Sequence, residues 1–460
     1  MELKKYKLGD LLQVTRGASL GGEYYATQGN YIRLTCGNFD YRNNCFKENQ
    51  SKDNIYYVGD FKAEFLLEKD DIITPLTEQA IGLLGSTARI PESGKYIQSQ
   101  DIAKIDCNES LLDKDFAFYL ISSACVKQQL SAAAQQTKIR HTSPDKIKEC
   151  IVWIPSLDVQ KGIGRILTDI DNKIAINRQI NDNLEAMAKQ LYDYWFVQFD
   201  FPNEEGKPYK SSGGVMVYNE RLKREVPIGW EVENLIDFAE IKNGATPSTA
   251  DEANYGGDIV WVTPKDLSDQ QSKFVYQSER NITKQGFDSC STSMLPTNSV
   301  LMSSRAPIGL VSIAKHEVCT NQGFKSFIPK NISDSIYLYY YIKHHIKQIE
   351  QLGTGTTFKE VSRDDLCKFP ILTIGAKDIY VQWIELQNGI ADKQLALTKE
   401  IAALTKQRDE LLPLLMNGQA TVNYHLSAKI EITFGRYDGR RYRFFPMQIT
   451  ISTTNTVLLA

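Results

Sequence analysis

The feature that most constrains the fold is an internal repeat, because a chain made of two similar halves must fold each half in a similar way. Two stretches show it first: LMSSRAPIG at residues 301–309, and a looser version, DIITPLTEQAIG, at residues 71–82. Either these are two unrelated strand-and-turn segments or the chain is a duplication. The neighbouring segments decide between the two.

Seven segments recur in the same order in both halves. Each half opens with a strand-like stretch that ends in a polar glycine loop, and each later contains an aromatic helical stretch. The pairs are LLQVTRGASL with FAEIKNGATPS, YIRLTCGNFD with IVWVTPKDLS, DIITPLTEQAIG with LMSSRAPIG, YIQSQDIAKI with CTNQGFKSFI, FAFYLISSACVKQQL with YLYYYIKHHIKQIEQL, QQTKIRHTSPDKI with GTTFKEVSRDDL, and IVWIP with FPILTI. Each match is weak alone, but the shared order predicts a duplicated fold of mixed helix and strand.

Each half ends in a long helical pattern with apolar residues three and four positions apart, the spacing of a coiled-coil seam. Lys173, Asn177, Gln394 and Arg408 interrupt the seams, and polar residues at such positions can fix the register. Two independent surface helices remain the alternative. The predicted seams are Ile163, Ile166, Ile170, Ile180, Leu184, Met187, Leu191 and Tyr194 in the first helix, and Ile379, Trp383, Leu386, Ile390, Leu397, Ile401, Leu404, Leu411 and Leu415 in the second.

Composition and motifs argue against several classes of protein. The hydrophobic fraction of 42% and the charged fraction of 24% are typical of a globular protein, and no apolar run is long enough to cross a membrane. Eight scattered cysteines without a CxxC pair favour reduced thiols and a cytoplasmic location. The sequence lacks Walker A, HExxH and GxSxG motifs. We therefore expect no catalytic residues, no metal site and no cofactor.

Several motifs resemble those of one family. They are GATPS at 244–248, WVTPKDLS at 261–268, LMSSRAPIG at 301–309, GTGTTFKEVS at 353–362, IADKQLALTKEIAAL at 390–404 and ELLPLLMNGQ at 410–419. In this order, and within a duplicated chain, they resemble the specificity (S) subunit of type I restriction-modification systems over about residues 6–420. The net charge of −3 gives no independent argument for nucleic-acid binding.

The resemblance implies a fold and a set of partners. Members carry two target-recognition domains, each reading one half of a split double-stranded DNA sequence, and two long helices that pair as an antiparallel coiled coil with pseudo-twofold symmetry. Two methyltransferase (M) subunits, which modify adenine N6, and restriction/translocase (R) subunits assemble on this core. Catalysis belongs to the partners.

On this basis we divide the chain into six segments. They are a first target-recognition domain (1–155), a central helical region (156–200), a linker (201–229), a second target-recognition domain (230–375), a distal helical region (376–420) and an atypical C-terminal tail (421–460). The tail lies beyond the usual end of the family. It is an added strand, an extra DNA contact or a segment without a role, and we favour the last.

The candidate DNA-binding residues are basic or hydroxyl side chains in polar loops, where arginine suits guanine or phosphate and lysine suits phosphate. Arg305 is preferred because small residues surround it and no ion-pair partner is near in the sequence. For Arg305 the alternative is a structural role, bracing the Pro-Ile-Gly turn. For Arg16, the stretch 138–141 and the pair Thr356 and Thr357, a solvated loop or turn remains the alternative. The candidates are Arg16, Lys138, Arg140 and His141 in the first domain, and Lys242, Lys265, Arg305, Thr356, Thr357 and Lys359 in the second.

The long helices are the expected docking surface for partner proteins, with Tyr194 and Trp383 as candidate contacts, although either aromatic can instead pack within the seam. Two other functions compete with a DNA-specificity subunit. One is a two-lobed scaffold for proteins, and the other is part of a fused restriction-modification enzyme with unrecognised catalytic residues.

Overall fold

The computed structural model describes residues 2–49, 53–78, 82–133, 140–270, 272–305, 307–355, 359–374, 377–423, 430–437, 442–451 and 457–459. The chain divides into two compact units. The first comprises Met1–Ile176 and Ala402–Ala460, and the second comprises Asn177–Ile401. The boundary between the units therefore falls inside each of the two long helices, Leu157–Tyr192 and Lys377–Met416.

The first unit contains a four-stranded antiparallel sheet. Its strands lie in the order Ala88–Arg89, Ile72–Pro75, Ile102–Cys107 and Leu12–Arg16. The other strands up to residue 154 are Lys4–Lys7, Tyr25–Ala26, Tyr31–Arg33, Phe39–Asp40, Cys45–Phe46, Tyr56–Tyr57, Thr77–Glu78, Tyr96–Ile97, Arg140–His141 and Ile151–Ile154. The helices are Leu8–Leu11, Lys114–Ile121, Ala124–Ala133 and Pro144–Lys148, with 3-10 turns at Gly22–Tyr24, Cys36–Asn38 and Ala63–Phe65.

The second unit contains a five-stranded sheet in the order Ala239–Asn243, Phe324–Pro329, Val300–Ser304, Ile308–Ala314 and Phe274–Val275. The first four strands are antiparallel and the last pair is parallel. The other strands are Met216–Asn219, Arg224–Pro227, Glu231–Asn234, Tyr255–Ile259, Trp261–Val262, Cys319–Thr320 and Pro370–Thr373. The shorter helices are Leu235–Phe238, Pro264–Gln270, Lys284–Asp288, Ser335–His344, Ile346–Leu352 and Arg363–Lys368, with 3-10 turns at Glu252–Asn254 and Ile332–Asp334.

The two units repeat one topology, which confirms the predicted duplication. In the first, the opening strand Lys4–Lys7 pairs antiparallel with Ile151–Ile154. In the second, Glu231–Asn234 pairs in the same way with Pro370–Thr373. A four-residue helical turn follows each opening strand, and a strand of the main sheet follows that turn. The duplication therefore holds at the level of strand pairing.

A serine cap is also repeated. The hydroxyl of Ser143 accepts the backbone N–H of Lys146 at the start of one short helix, and the hydroxyl of Ser362 accepts that of Asp365 at the start of the other. Serine at this position satisfies one of the N–H groups that a helix leaves unpaired at its beginning. The aligned sequences HTSPDKI and EVSRDDL therefore begin helices for the same physical reason.

The two long helices run antiparallel within each unit. In the first unit the early part of the first helix meets the late part of the second, where Arg408 Nη1 donates to Asp171 Oδ1 at 2.9 Å. In the second unit the late part of the first helix meets the early part of the second, where Gln387 Nε2 donates to the Ala188 carbonyl at 2.9 Å. The antiparallel direction is thus as expected.

Two of the polar residues that interrupt the predicted seams, Arg408 and Gln394, each pair with a carboxylate of the other long helix, and each pair also contacts the aromatic helix of its domain. The Asp171 carboxylate, besides Arg408, accepts the Tyr119 hydroxyl at 2.7 Å. In the second unit Glu185 Oε2 accepts Gln394 Nε2 at 3.1 Å and the Tyr340 hydroxyl at 3.2 Å. These contacts fix the position of each domain along the long helices of its own unit.

A buried lysine completes the second of these networks. Lys273 Nζ lies 2.8 Å from Glu185 Oε2 and donates to Gln394 Oε1 at 2.8 Å. Burial lowers the pKa of Lys273, and the neighbouring Glu185 carboxylate opposes that shift. The network joins the main sheet of the second domain to both long helices, because Lys273 directly precedes the strand Phe274–Val275.

The predicted seams are wrong in part. Ile180, Met187 and Leu386 are 39%, 54% and 52% exposed, whereas Ala188 and Gln387 are completely buried. A strict seam repeats every 3.5 residues, while a straight α-helix turns once every 3.6 residues, so the buried line drifts by one position over several turns. Sequence spacing alone placed these three apolar residues on the wrong face.

The segment expected to be a linker, residues 201–229, is folded. It contains the hairpin Met216–Asn219 with Arg224–Pro227. Phe201 stacks against Trp230 with ring centroids 5.2 Å apart, and both residues are buried in the core of the second unit. Its polar and glycine-rich composition hid these few aromatic anchors.

The tail forms an antiparallel sheet with strands Ala420–Asn423, Ile430–Tyr437, Tyr442–Ile451 and Val457–Leu459. Within the described ranges, no helix is long and apolar enough to span a membrane.

We predict that Arg408→Met destabilises the first unit by about 1–3 kcal/mol, because it leaves the Asp171 carboxylate without its cation. The effect stays below that of a fully buried pair because Asp171 is 27% exposed and keeps the Tyr119 hydroxyl. Urea unfolding measures the change. Lys406→Met is the matched control, since its ion pair with Glu410 is largely exposed and is expected to contribute under about 0.5 kcal/mol. Equal effects of the two substitutions would refute the prediction.

Candidate nucleic-acid interface

In the first domain, the candidate residues that the structure describes lie at one end of the main sheet. Arg16 ends its strand opposite Ala103, and the strand Ile72–Pro75 ends beside the same residues. Just beyond Pro75, the chain pairs with the segment that carries Arg140 and His141. Arg16, Arg140 and His141 are therefore brought to the same end of the sheet. Lys138 lies outside the described residues.

The second domain has the same arrangement. The strand with Lys242 ends opposite Lys325, and Arg305 directly follows the strand Val300–Ser304 at the same end. An isolated bridge joins Arg305 to Glu360, which places the exposed Lys359 there too. Thr356 and Thr357 lie outside the described residues.

Glycine is required at the loop that leaves this end of each sheet. A Cβ on Gly17 would lie 2.3 Å from the Gln98 carbonyl oxygen, and one on Gly244 would lie 2.0 Å from that of Asn321. Both distances are far shorter than any allowed contact, so the loops GASL and GATPS depend on the missing side chain. In both domains this loop packs against the glutamine-containing segment of the sequence alignment.

A tyrosine holds each of these loops from the other side. The Tyr25 hydroxyl donates to the Leu20 carbonyl at 3.2 Å, and the Tyr255 hydroxyl donates to the Pro247 carbonyl at 2.9 Å. Loops fixed at both ends present their side chains with little loss of conformational entropy on binding. The sequence analysis missed both tyrosines, although each follows its loop at a similar distance.

Most of the candidate arginine and lysine side chains are exposed, but several of them already have a hydrogen-bond or ion-pair partner. Arg16 Nε donates to the Gln100 carbonyl at 2.7 Å, Lys242 pairs with Glu240, and Lys265 Nζ lies 2.6 Å from Glu279 Oε2. Such exposed pairs are weak and readily exchanged for a phosphate.

No ion-pair partner is near Arg305 in the sequence, but the fold brings one to it. Its Nη1 lies 3.9 Å from Glu360 Oε2, and Lys325 Nζ lies 3.0 Å from the other oxygen of the same carboxylate. The partner comes from a segment more than fifty residues away along the chain, so no local reading of the sequence could have found it.

Comparison with known proteins identifies the family. Residues 1–186 and 227–413 match the family model described as the type I restriction modification DNA specificity domain, which covers well over half of the chain. The chain belongs to this specificity-subunit family.

Three similar proteins illustrate the relationship. The type I restriction enzyme HindI specificity subunit of Haemophilus influenzae is 26% identical over 379 residues, or 70% of this chain and 81% of that protein. The MjaIX specificity subunit of Methanocaldococcus jannaschii is 40% identical over 144 residues, but the alignment spans only 31% of this chain and 33% of that relative. The crystal structure of an S subunit from M. genitalium covers 90% of this chain and 96% of its own, with TM-score 0.57 and 14% identity, which shows a shared fold.

Of the two aromatic residues expected to contact a partner protein, one is accessible to solvent. Tyr194 is 36% exposed, in the π-helical turn that ends the first long helix. Trp383 is completely buried, with Phe196 at a ring-centroid distance of 4.8 Å. The expectation that Trp383 contacts a partner is therefore wrong, and its alternative, packing within the protein, is what the structure shows.

No group of three or more histidine, cysteine, aspartate or glutamate side chains in the described part of the chain is arranged to hold a metal ion.

We predict that Gly244→Ala lowers the stability of the second domain by roughly 1–3 kcal/mol, because the new methyl group forces the loop away from Thr320 and Asn321. Gly389→Ala is the control: a Cβ there has nothing within 4 Å, and alanine favours the helix by about 1 kcal/mol. Thermal melting of the two variants should show opposite shifts. A Gly244→Ala melt equal to the wild type would contradict the close approach.

Proposed function

We propose that the chain reads a bipartite double-stranded DNA target within a type I restriction-modification complex, one half-site per domain. The observation that carries this is the end of the main sheet, which is repeated in both domains. In each domain it combines a loop that requires glycine with arginine or lysine side chains. Two copies of one recognition domain on one chain suit two short sites separated by DNA that is not read, as half-site spacing mirrors symmetry in dimeric repressors.

The proposed DNA contacts are basic and hydroxyl side chains of the two domains, and those that lie at the described sheet ends are Arg16, Arg140, His141, Lys242, Arg305 and Lys359. Arginines suit guanine edges and phosphates, while lysines and hydroxyls suit phosphates. They are Arg16, Lys138, Arg140 and His141 in residues 1–155, and Lys242, Lys265, Arg305, Thr356, Thr357 and Lys359 in residues 230–375.

Catalysis is assigned to partner proteins. Methylating a base inside a duplex requires that the base be flipped out of the stack, so a reading subunit has to hold the flanking DNA while a methyltransferase acts. We propose two methyltransferase (M) subunits that modify adenine N6, together with restriction/translocase (R) subunits. The names of the relatives, which are subunits of restriction enzymes, support this division of labour.

An exposed apolar row on the first long helix is the proposed docking surface for a methyltransferase subunit. Ile180, Met187 and Tyr194 are 39%, 54% and 36% exposed. They recur every seven residues, which is about two helical turns and keeps them on one face. Exposed apolar rows of this kind mark protein interaction sites more often than plain solvent-facing surface.

We predict that Met187→Glu weakens association with the cognate methyltransferase subunit at least tenfold, because a charge would be buried in an apolar contact. Ala186→Glu introduces the same residue at an exposed position about 100° around the helix from Met187; it is the control and should associate normally. Co-purification and sedimentation velocity measure the association. Equal association of both variants would remove this surface from the proposal.

The function itself is tested by mapping methylated bases in a host that expresses the chain with its cognate methyltransferase subunit, compared with a host lacking only this chain. We expect a new N6-methyladenine motif made of two short blocks around a fixed gap. A single contiguous block would mean that only one domain reads DNA. No difference, with both proteins shown to associate, would favour the scaffold function.

A further inference from the structure

Each domain holds one arginine of the sheet end against a glutamate at a distance longer than a hydrogen bond. In the first domain, Arg140 Nη1 lies 3.6 Å from Glu78 Oε2, and their side chains are 40% and 3% exposed. In the second domain, Arg305 Nη1 lies 3.9 Å from Glu360 Oε2, and their side chains are 37% and 41% exposed. The Arg305–Glu360 contact, long and between half-exposed groups, is therefore weak. The Glu78 carboxylate is buried, so its contact with Arg140 is not of this kind.

In both domains the glutamate has a second, closer partner. Glu78 Oε1 accepts the backbone N–H of Gly82 at 2.8 Å. Glu360 Oε1 accepts a hydrogen bond from Lys325 Nζ at 3.0 Å, and the Lys325 side chain is only 9% exposed. When Arg305 moves away, the Glu360 carboxylate keeps the Lys325 cation, which avoids the large penalty of an unpaired buried charge. Glu78 is different: it is buried and would keep a backbone N–H but no cation, since its Oε2 has no hydrogen-bond partner among the described residues.

The two contacts occupy the same place in the repeat but are built from different residues. The same backbone pairing supports both: Thr142 N donates to the Leu76 carbonyl at 2.9 Å, and Val361 N donates to the Ser304 carbonyl at 3.0 Å. The arginine lies in the later of the two paired segments in the first domain and directly after the earlier one in the second. An arginine–glutamate contact therefore arises twice, from different residues, but the carboxylate has a second cation in the second domain.

We propose that Arg305 is released from the Glu360 carboxylate to a DNA phosphate on target binding, and that Glu360 is a specificity-determining residue that weakens binding to non-target DNA. This rests on the proposed function. A carboxylate beside the arginine competes with a phosphate, so the exchange is favourable only where the rest of the domain fits the DNA closely. On other sequences the arginine stays with its glutamate and contributes little affinity.

The test is made on Glu360, since its carboxylate is half-exposed and has a second cation in Lys325. The protein is the full chain in complex with its methyltransferase partner. Binding is measured on a target duplex and on a non-target duplex of equal length, over a series of salt concentrations. The variants are Glu360→Gln, Arg305→Gln and the double variant, with Glu205→Gln as the control, because Glu205 is an exposed carboxylate paired with Lys207 at 2.8 Å and its loss changes the net charge equally.

We expect Glu360→Gln to bind non-target DNA about three- to tenfold more tightly than the wild type, with a salt dependence steeper by up to about one counterion. Affinity for the target should change less, so discrimination falls. The increase should disappear in the Arg305→Gln background, because the freed arginine is its cause. Glu205→Gln should leave both affinities unchanged.

Two results would overturn the inference. One is an equal non-target affinity of Glu360→Gln and Glu205→Gln. The other is an increase that persists without Arg305, which would mean that Glu360 simply repels DNA. Thermal melting checks that the variants are folded. Glu360→Asp provides a second test: it keeps the charge but draws the carboxylate back by one methylene, so a smaller increase is expected. A wild-type complex that does not prefer the target duplex would instead overturn the proposed function.

Discussion

The pairing of polar side chains between the two long helices is the interaction on which the rest of the architecture depends. An apolar seam would allow the helices to slide by a turn at small cost, whereas a buried charge or amide must meet its partner. Asp171 meets Arg408 in the first unit, and Glu185 meets Gln394 in the second. Each pair fixes the register of the two helices within its own unit.

The same carboxylates connect the helices to the recognition domains. The Tyr119 hydroxyl donates to Asp171, and the Tyr340 hydroxyl donates to Glu185, each from the aromatic helix of its domain. Burial raises the pKa of both tyrosines far above the ordinary value, so these hydroxyls remain donors at any physiological pH. Within each unit, the sheet end that carries the candidate DNA contacts is thus held relative to the helices by a small number of buried polar bonds.

The sequence was sufficient to choose candidate DNA-binding residues, but not to predict the side chains that they contact. Arg140, Arg305 and Lys359 could be chosen because basic residues in polar loops near repeated motifs are rare enough to notice. Their partners could not, because Glu78 and Glu360 are brought to them by strand pairing between segments far apart in the chain. Trp383 shows the opposite error: an aromatic residue in a helical pattern suggests a surface contact until neighbouring helices are seen to cover it.

The sequence by itself determined the duplication, the mixed helix-and-strand class and the presence of two long helices, since each follows from repeated order or from local periodicity. Only the tertiary structure decided which helix face is buried. The difference between 3.5 and 3.6 residues per turn accumulates along a helix, and packing selects the outcome, leaving Met187 exposed and Ala188 buried. Packing likewise made the polar segment 201–229 part of a core. Phe201, at the start of the segment, stacks against Trp230, which directly follows it, and both side chains are buried.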